Sequence, residues 1–421
     1  MNQISNLYQK NEKFILGSNN EWLTNLRNKI LEKIDDLGPP SKKNEIWKYS
    51  NLSHINDTRY EPSNEILKEN ETLNEENEID YINGKYHITE KNKKNLNINF
   101  KDLGESLIDL KNFFYNEKET QLNDFVIDIN TIFLSDGLYI STKENKENYL
   151  IINYKNNLDY ITNYLRNIIK INKNSKLTLV ENFNYEKSEN NDLNIYNNFI
   201  LEKDSELEHI IIQNLNLTSR LLYSSHAICE TNSKFNQLSC QLGSISAKNR
   251  HLSNLIGINS QANHNGIYFG KNKQYIDNKT KVIHKSENCQ SNQIYKGILN
   301  EESCGVYLSN TLVESQAQKT NGYQLSRGLL LSDKSKLYNK PQLKIYADDV
   351  KCSHGSTIGA LDNNQLYYLQ SRGLSEKDSQ KLLIKAFCKD VLKNINDKES
   401  LKKIELQIDE WLNKKNDKQY S

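Results

Sequence analysis

One stretch near the C-terminal end of the chain concentrates side chains that could carry chemistry. Residues 345–359 read IYADDVKCSHGSTIG, and seven consecutive positions hold two carboxylates, an amine, a thiol and an imidazole: Asp348, Asp349, Lys351, Cys352 and His354. Alternate residues of an extended strand project from one face, so Cys352 and His354 would lie side by side. A thiolate beside an imidazole suits iron or zinc. Two ligands do not complete a metal site, so the missing ones would come from elsewhere or from a partner chain. The alternative is a buried structural cysteine and a hydrogen-bonded histidine.

The standard catalytic motifs are absent from the sequence. It contains no G-x-x-x-x-G-K-[ST] phosphate loop, no G-x-G-x-x-G after a strand, no H-E-x-x-H and no G-x-S-x-G. None of the six cysteines forms a C-x-x-C pair, which argues against a zinc ribbon, a thioredoxin-type site and a ferredoxin-type cage. We expect no independent catalysis, and a structural role for the other five cysteines, which are Cys229, Cys240, Cys289, Cys304 and Cys388.

Charge and hydropathy bound the class of protein. The 421 residues include 55 Lys and Arg against 54 Asp and Glu, a net charge of +1, which gives no reason to expect binding to nucleic acid or a membrane surface. No run approaches the roughly 18 apolar residues that span a bilayer. The first 20 residues lack the apolar segment of a secretory signal. The sequence therefore predicts a cytoplasmic protein with reduced cysteines.

Short β-rich runs recur from Phe125–Ile129 onward, with no helix-length amphipathic segment between them after about residue 171. A doubly wound α/β fold needs such helices and is disfavoured. Polar corners followed by an apolar residue start at 174, 204 and 232, a spacing of about 28 to 30 residues that is typical of a solenoid. A looser copy is Asp333–Leu337. Glycines between Gly243 and Gly373 are predicted to take positive φ at corners. The pattern favours a parallel β-helix, and a generic antiparallel β domain is the alternative.

Helical segments flank these strands. Trp22, Leu26, Ile30, Ile34 and Leu37 form one apolar stripe that ends at Gly38-Pro39-Pro40. An acidic linker is predicted from Glu61 to Asp80. Beyond Gly359, a short helix should end at Gly373, and Ser375 with Asp378 should begin the next. The apolar faces of the last two helices are predicted to comprise Leu382, Leu383, Ala386, Phe387 and Val391, and Leu401, Ile404, Ile408, Trp411 and Leu412. The predicted regions are 1–60 (N-terminal helical), 61–124 (acidic linker and mixed segment), 125–355 (parallel β-helix) and 356–421 (C-terminal helical).

Residues 346–359, continued by 366–373 (LYYLQSRG), strongly resemble the C-terminal motif of the SufB/SufD family of the SUF iron–sulfur cluster assembly system. Weaker matches to the same family are residues 291–297, 317–320, 329–332 and 38–40 with 45–49. The SufB branch has an H-E-A motif where this chain has Ser353-His354-Gly355, and a cysteine where this chain has Ser371. The resemblance is therefore to the SufD branch.

That resemblance implies a right-handed parallel β-helix flanked by N- and C-terminal helical regions. It implies a scaffold subunit that pairs with a SufB-like subunit through the β-helix end and binds a SufC-like ABC ATPase through the C-terminal helices. His354, with Cys352 as a neighbouring candidate, would lie at the subunit interface. A transient iron–sulfur cluster would form there together with a SufB cysteine, and the isolated chain would hold no tightly bound cofactor. Three alternatives remain: a β-helix enzyme acting on carbohydrate or acyl substrates, the SufB-type paralogue, and a structural subunit whose Cys352 and His354 are chemically idle.

Overall fold

The computed structural model describes residues 3–38, 61–62, 77–89, 98–107, 124–183 and 188–413, together with residues 92, 110, 111 and 114. The predicted motif segment 45–49 lies outside the described residues, as does most of the predicted acidic linker. The strands are β1 (Glu61–Pro62), β2 (Glu78–Ile82), β3 (Lys85–His87), β4 (Ile98–Asp102), β5 (Leu138–Thr142), β6 (Glu147–Lys155), β7 (Ile161–Ile171), β8 (Lys176–Phe183), β9 (Asp192–Leu201), β10 (Glu206–Gln213), β11 (Arg220–Cys229), β12 (Lys234–Gln241), β13 (Ser246–Leu255), β14 (Gln261–Gly270), β15 (Tyr275–His284), β16 (Gln290–Leu299), β17 (Cys304–Val313), β18 (Thr320–Leu330), β19 (Lys336–Ile345) and β20 (Val350–Gly359).

These strands form a parallel β-solenoid of about seven turns. Each turn contributes one strand to each of two ten-stranded sheets. The odd sheet runs from β5 to β19 and also contains β1 and β4, and the even sheet runs from β6 to β20 and also contains β2 and β3. Antiparallel pairing within the described residues is limited to β2 with β3 and β4 with β5, at the start of the solenoid. The predicted parallel β-helix is confirmed, and the antiparallel alternative is wrong.

The predicted corners are confirmed in position. Asn174, Asp204 and Asn232 take φ of 57°, 60° and 59°, each two residues before an even-sheet strand. Asn and Asp tolerate this left-handed conformation because their short polar side chains bond locally. The hydroxyl of Ser205, which follows Asp204, points toward the preceding residues and donates a hydrogen bond to the Glu202 carbonyl at 2.6 Å. Polar corners of this kind place successive coils in register.

Glycine has a different role from the one predicted. No glycine from Gly243 to Gly359 has positive φ. In that range the conformation is taken by other residues, which are Ser244, Asn259, Asn272, Asn288, Glu301 and Lys319. Instead, the solenoid glycines make room for neighbours. A Cβ on Gly266 would lie 2.2 Å from the Tyr295 ring, and one on Gly297 would lie 2.5 Å from the Tyr268 ring. The prediction was wrong because large interior rings need small partners on the adjacent coil.

Helices cover the outer face of the odd sheet near its start. They are α1 (Gln3–Asn11), α2 (Glu21–Leu37) and α3 (Phe125–Phe133), with a 3₁₀ turn at Glu12–Phe14. The predicted α2 is confirmed, with Gly38 at φ 69° after it. The predicted strand at Phe125–Ile129 is wrong: Asp124 caps a helix there by accepting a bond from the Val126 N–H. A short, wholly apolar run has no period that separates a buried helix from a buried strand.

The C-terminal helices are α4 (Asn363–Ser371), α5 (Glu376–Leu392) and α6 (Lys398–Asn413). Helices α5 and α6 pack on the outer face of the even sheet, whereas α4 has no buried residue. The predicted cap is confirmed: Ser375 Oγ accepts from the Asp378 N–H at 3.1 Å. The buried face of α5 consists of Ile384, Cys388, Val391 and Leu392, with Ser379 at its start. The predicted face is therefore partly wrong, because Leu382 and Ala386 are exposed.

A buried lysine fastens α5 to the solenoid. Lys296 Nζ donates to the Phe387 carbonyl at 2.6 Å and to Asp390 at 3.0 Å, while the lysine side chain is only 2% exposed. No helix in the described part of the chain is long and apolar enough to cross a membrane.

Candidate functional site

The last coil of the solenoid is open on one side. Among the described residues, strand β19 pairs only with β17 and β20 pairs only with β18, so each presents an unpaired backbone edge to the rest of that structure. All ten residues of β20 are exposed or half-buried. Such an edge is a template for pairing with another chain.

Cys352 and His354 lie on this open coil and face its interior. In the register of β18 with β20, Cys352 is opposite Gly322 and His354 is opposite Gln324, and both β18 residues are buried. A Cβ on Gly322 would lie 3.3 Å from the Cys352 sulfur, which places the thiol over the interior. Cys352 is half-buried and His354 is exposed, so an approaching chain can reach both.

The other polar residues of the predicted cluster lie elsewhere. Lys351 and Ser353 occupy the alternate positions of β20, on its outer face. Asp348 and Asp349 are exposed in the corner before the strand, where the Asp349 N–H donates to Gln318 Oε1 at 2.9 Å. The seven-residue cluster thus separates, and only the thiol and the imidazole share the interior face.

This pair alone is an incomplete ligand set. Within the described ranges, no group of three or more His, Cys, Asp or Glu side chains could hold a metal ion. Burial raises the pKa of the Cys352 thiol, and a backbone hydrogen bond involving Gly322 offsets only part of that shift. The thiol of the isolated chain is therefore protonated at neutral pH, and metal binding would release its proton.

The remaining cysteines are also free thiols, and four of the five are less accessible than Cys352. Four of them, Cys229, Cys240, Cys289 and Cys388, are buried, and Cys304 is half-buried. Burial raises the pKa of both Cys229 and Cys388 to about 12. Thiols held in the protonated form inside the core are poor nucleophiles and poor ligands.

The sequence reasoning missed a column of polar side chains inside the solenoid. The interior position of His354 recurs once per coil along the even sheet, and we call this set the His354 column: His209, Gln237, His264, Gln293, Gln324 and His354. The first five members are at most 1% exposed. A recurrence of His or Gln at the solenoid period was the signal that could have revealed it.

Hydrogen bonds join the deeper members of the column. Gln237 Nε2 donates to His209 Nδ1 at 3.1 Å, and His264 Nδ1 bonds Gln237 Oε1 at 2.8 Å. His264 Nε2 bonds Ser253 Oγ at 2.9 Å. Gln293 and Gln324 are linked through a shared hydroxyl, because each donates to Thr311 Oγ1, at 2.8 and 2.7 Å.

A fully buried carboxylate anchors the inner end of the column. Glu181 accepts hydrogen bonds from Tyr154 Oη at 2.6 Å, His209 Nε2 at 2.6 Å, Asn197 Nδ2 at 2.8 Å and Tyr223 Oη. Burial raises the pKa of Glu181, but the bonds from His209, Tyr154 and Tyr223 outweigh it and leave the pKa lowered. The His354 column therefore has an ionised carboxylate at its inner end and the accessible imidazole of His354 at its outer end.

The free energy of unfolding is expected to fall as the pH drops below about 6.5, which is well above the pH at which carboxylates titrate. Burial lowers the pKa of His264 to about 3 and that of His284 to about 4, and it lowers that of His251 as well. Between these values and about 6.5 the unfolded chain binds more protons than the folded one, so each histidine costs about 1.4 kcal/mol of stability per pH unit as the pH falls. Urea unfolding at pH 7, 6 and 5 measures this slope.

The control is His264→Gln. Glutamine already occupies the two neighbouring positions of the His354 column, Gln237 and Gln293, so it should fit at this position as well. Whatever its stability at pH 7, the free energy of unfolding of this variant should fall less steeply with decreasing pH, by the contribution of one histidine proton. Stability that is unchanged from pH 7 to pH 5 would contradict the account of the neutral buried imidazoles.

Two family models match the chain. "SUF system FeS cluster assembly, SufBD core domain" covers residues 152–387, and "SufBD protein N-terminal region" covers residues 1–153. The core-domain match contains the whole His354 column and Cys352.

Curated relatives agree with these matches. The chain is 31% identical over 195 residues to the iron–sulfur cluster assembly protein SufD of Escherichia coli (strain K12), covering 46% of each chain. It is 41% identical over 123 residues to a SufBD family protein of Synechocystis, covering 29% of this chain and 27% of the relative. It is 30% identical over 202 residues to the chloroplastic protein ABCI7 of Arabidopsis thaliana, covering 48% and 42%.

Each of these alignments spans less than half of the relative's length. One of the relatives is chloroplastic, so the cytoplasmic location expected from the sequence stays a prediction. The core-domain model alone covers more than half of this chain, and the resemblance inferred from residues 346–373 is confirmed. The chain belongs to the SufBD family of SUF-system iron–sulfur cluster assembly proteins.

Proposed function

We propose that the chain is the SufD-type scaffold subunit of an iron–sulfur cluster assembly complex, without catalysis of its own. A SufB-like subunit docks on the open end of the solenoid, and the nascent cluster forms at that interface. The observation that carries the proposal is the position of Cys352 and His354 on the interior face of the last, unpaired coil.

An incomplete ligand set suits a cargo that must leave. Iron in a cluster normally takes four ligands, and this chain offers a thiol and an imidazole at the open end. A partner that supplies the missing ligands makes the site exist only while the interface is closed. The edges of β19 and β20 offer backbone groups for that docking. Exposed Tyr346, which follows β19, and Ile358 in β20 offer apolar surface beside them.

The ATPase-binding surface in this proposal lies between α5 and α6. A cavity of about 530 Å³ separates these helices, lined by apolar Leu382, Ala386 and Leu401 and by charged Lys385 and Asp409. Leu382, which is 48% exposed, provides apolar surface at this cavity that a protein partner would bury. A movement of α5 would be transmitted to the solenoid through the buried Lys296, which is hydrogen-bonded to the Phe387 carbonyl of this helix.

Leu382→Asp is expected to lower the amount of SufC-like ATPase that co-purifies with this chain by at least tenfold. A carboxylate in an apolar contact costs more than about 1.4 kcal/mol, which is the free energy of a tenfold loss of affinity. The measurement is affinity purification of the tagged chain co-expressed with its SufB-like and SufC-like subunits, quantified by mass spectrometry. Retention of the SufB-like subunit should not change.

Ile258→Asp is the matched control. Ile258 is 48% exposed, as Leu382 is, but it lies at a solenoid corner away from the C-terminal helices. This variant should retain both partners. Equal ATPase retention by Leu382→Asp and Ile258→Asp would contradict the assignment of the α5–α6 cavity, and absence of both partners from the wild-type purification would contradict the proposed function.

A further inference from the structure

The side chain beneath His354 can act only as a hydrogen-bond acceptor toward it. Gln324 Nε2 donates to Thr311 Oγ1 at 2.7 Å and to the Gln342 carbonyl at 3.1 Å, which uses both of its N–H groups. Its Oε1 accepts one bond, from Ser309 Oγ at 3.0 Å. An amide oxygen has two lone pairs, so one acceptor position of this buried glutamine remains.

The same arrangement is already complete deeper in the His354 column. Gln237 Nε2 donates to His209 Nδ1 and to Ser225 Oγ, so only its Oε1 is left for the next coil. That oxygen bonds His264 Nδ1 at 2.8 Å. Because an amide oxygen cannot donate, His264 carries its proton on Nδ1, and its Nε2 accepts from Ser253.

His354 has the same position relative to Gln324 as His264 has relative to Gln237. Each histidine lies one coil beyond a glutamine at the same interior position of adjacent parallel strands, which are about 4.8 Å apart. The His354 side chain makes no hydrogen bond to another described residue, so its ring can turn onto the remaining acceptor position.

We propose that Gln324 is a positioning residue that holds His354 as the Nδ1–H tautomer and presents the unprotonated Nε2 to the open end of the solenoid. Partners of this kind fix the orientation and tautomer of metal-binding histidines in proteins generally. The value of this orientation for iron binding rests on the proposed function, but the tautomer itself is a property of the chain without iron.

The tautomer can be read directly by long-range ¹H–¹⁵N NMR of the full chain labelled with ¹⁵N-histidine, at an alkaline pH where imidazoles are neutral. His354→Ala assigns the resonances. In the wild type we expect a roughly fivefold excess of the Nδ1–H form, the ratio that one ordinary hydrogen bond supports. Gln324→Met should abolish that excess, and Gln324→Glu, which keeps an acceptor oxygen, should restore it.

Gln293→Met is the matched control for general damage to the column. Gln293 has the same kind of partners, accepting from Thr280 and donating to Thr311, but it does not lie next to His354. It should lower stability about as much as Gln324→Met and leave the His354 tautomer unchanged. A wild-type His354 protonated mainly on Nε2, or an unchanged tautomer in Gln324→Met, would overturn the proposal.

A separate measurement distinguishes this inference from the proposed function. Iron bound by the complex with the SufB-like subunit should fall tenfold or more in Gln324→Met and recover in Gln324→Glu, as for partners of other metal-binding histidines. If the wild-type complex binds no iron while the tautomer behaves as described, the proposed function fails and the positioning role of Gln324 stands. If the complex binds iron and the tautomer does not depend on Gln324, only the positioning role fails.

Discussion

Glu181→Ala is expected to lower the free energy of unfolding by about 3–5 kcal/mol, the cost of removing one partner from a buried charged network. The substitution leaves the donors of Tyr154, His209, Asn197 and Tyr223 without their acceptor. Glu181 is completely buried, and an unsatisfied buried donor costs more than the hydrogen bond it replaces. Urea unfolding at pH 7, followed by circular dichroism, measures the loss.

Glu202→Ala provides the comparison for this variant. Glu202 also accepts a hydrogen bond from a charged donor, Lys170 Nζ at 2.7 Å, but at a half-buried corner of the solenoid. Removing an ion pair that water still reaches should cost about 1 kcal/mol, much less than removing the fully buried Glu181. Similar unfolding midpoints for Glu181→Ala and Glu202→Ala would show that the buried carboxylate does not anchor the interior.

Loss of both His354 and Cys352 is expected to lower the iron and sulfide content of the assembled complex by at least tenfold. The reason is that the complex would lose both ligands that we propose this chain contributes. The stability of the single variant His354→Ala should stay within about 0.5 kcal/mol of the wild type, because an exposed side chain without hydrogen bonds contributes little. Anaerobic iron and sulfide analysis of purified complexes gives the content, and a thermal melt gives the stability.

Ser353→Ala is the control for this experiment. Ser353 lies between the two residues but on the outer face of β20. This variant should retain its iron and sulfide. Wild-type content in the Cys352→Ala/His354→Ala double variant would instead support the alternative in which the pair is chemically idle.

Features governed by local chemistry could be predicted from the sequence. The corners at Asn174, Asp204 and Asn232, and the cap at Ser375, were found because the side chain that makes the turn bonds its own backbone neighbourhood. The spacing of these corners then gave the solenoid, since each coil has nearly the same length. Cys352 and His354 could be placed on one strand face because alternation holds wherever a strand is extended.

Features set by packing between distant residues could not. The helix at Phe125–Phe133 was mistaken for a strand, since its uniformly apolar sequence carries no period. The exposure of Leu382 depends on how α5 is rotated against the even sheet, which the helical period leaves undetermined within one residue. The interior hydrogen bonds of the His354 column depend on coil register, and a slip of one residue would have pointed every member outward.

The most direct test of the central claim is whether a histidine of this chain binds the nascent cluster. The complex would be assembled from this chain labelled with ¹⁵N-histidine and from unlabelled SufB-like and SufC-like subunits, loaded with iron and sulfide, and examined by electron–nuclear double resonance in a paramagnetic cluster state. We expect a ¹⁵N hyperfine coupling typical of an iron-bound imidazole, present in the wild type and absent in His354→Ala. A cluster that forms in the wild-type complex without any ¹⁵N coupling would contradict the claim that the open end of this solenoid contributes a ligand.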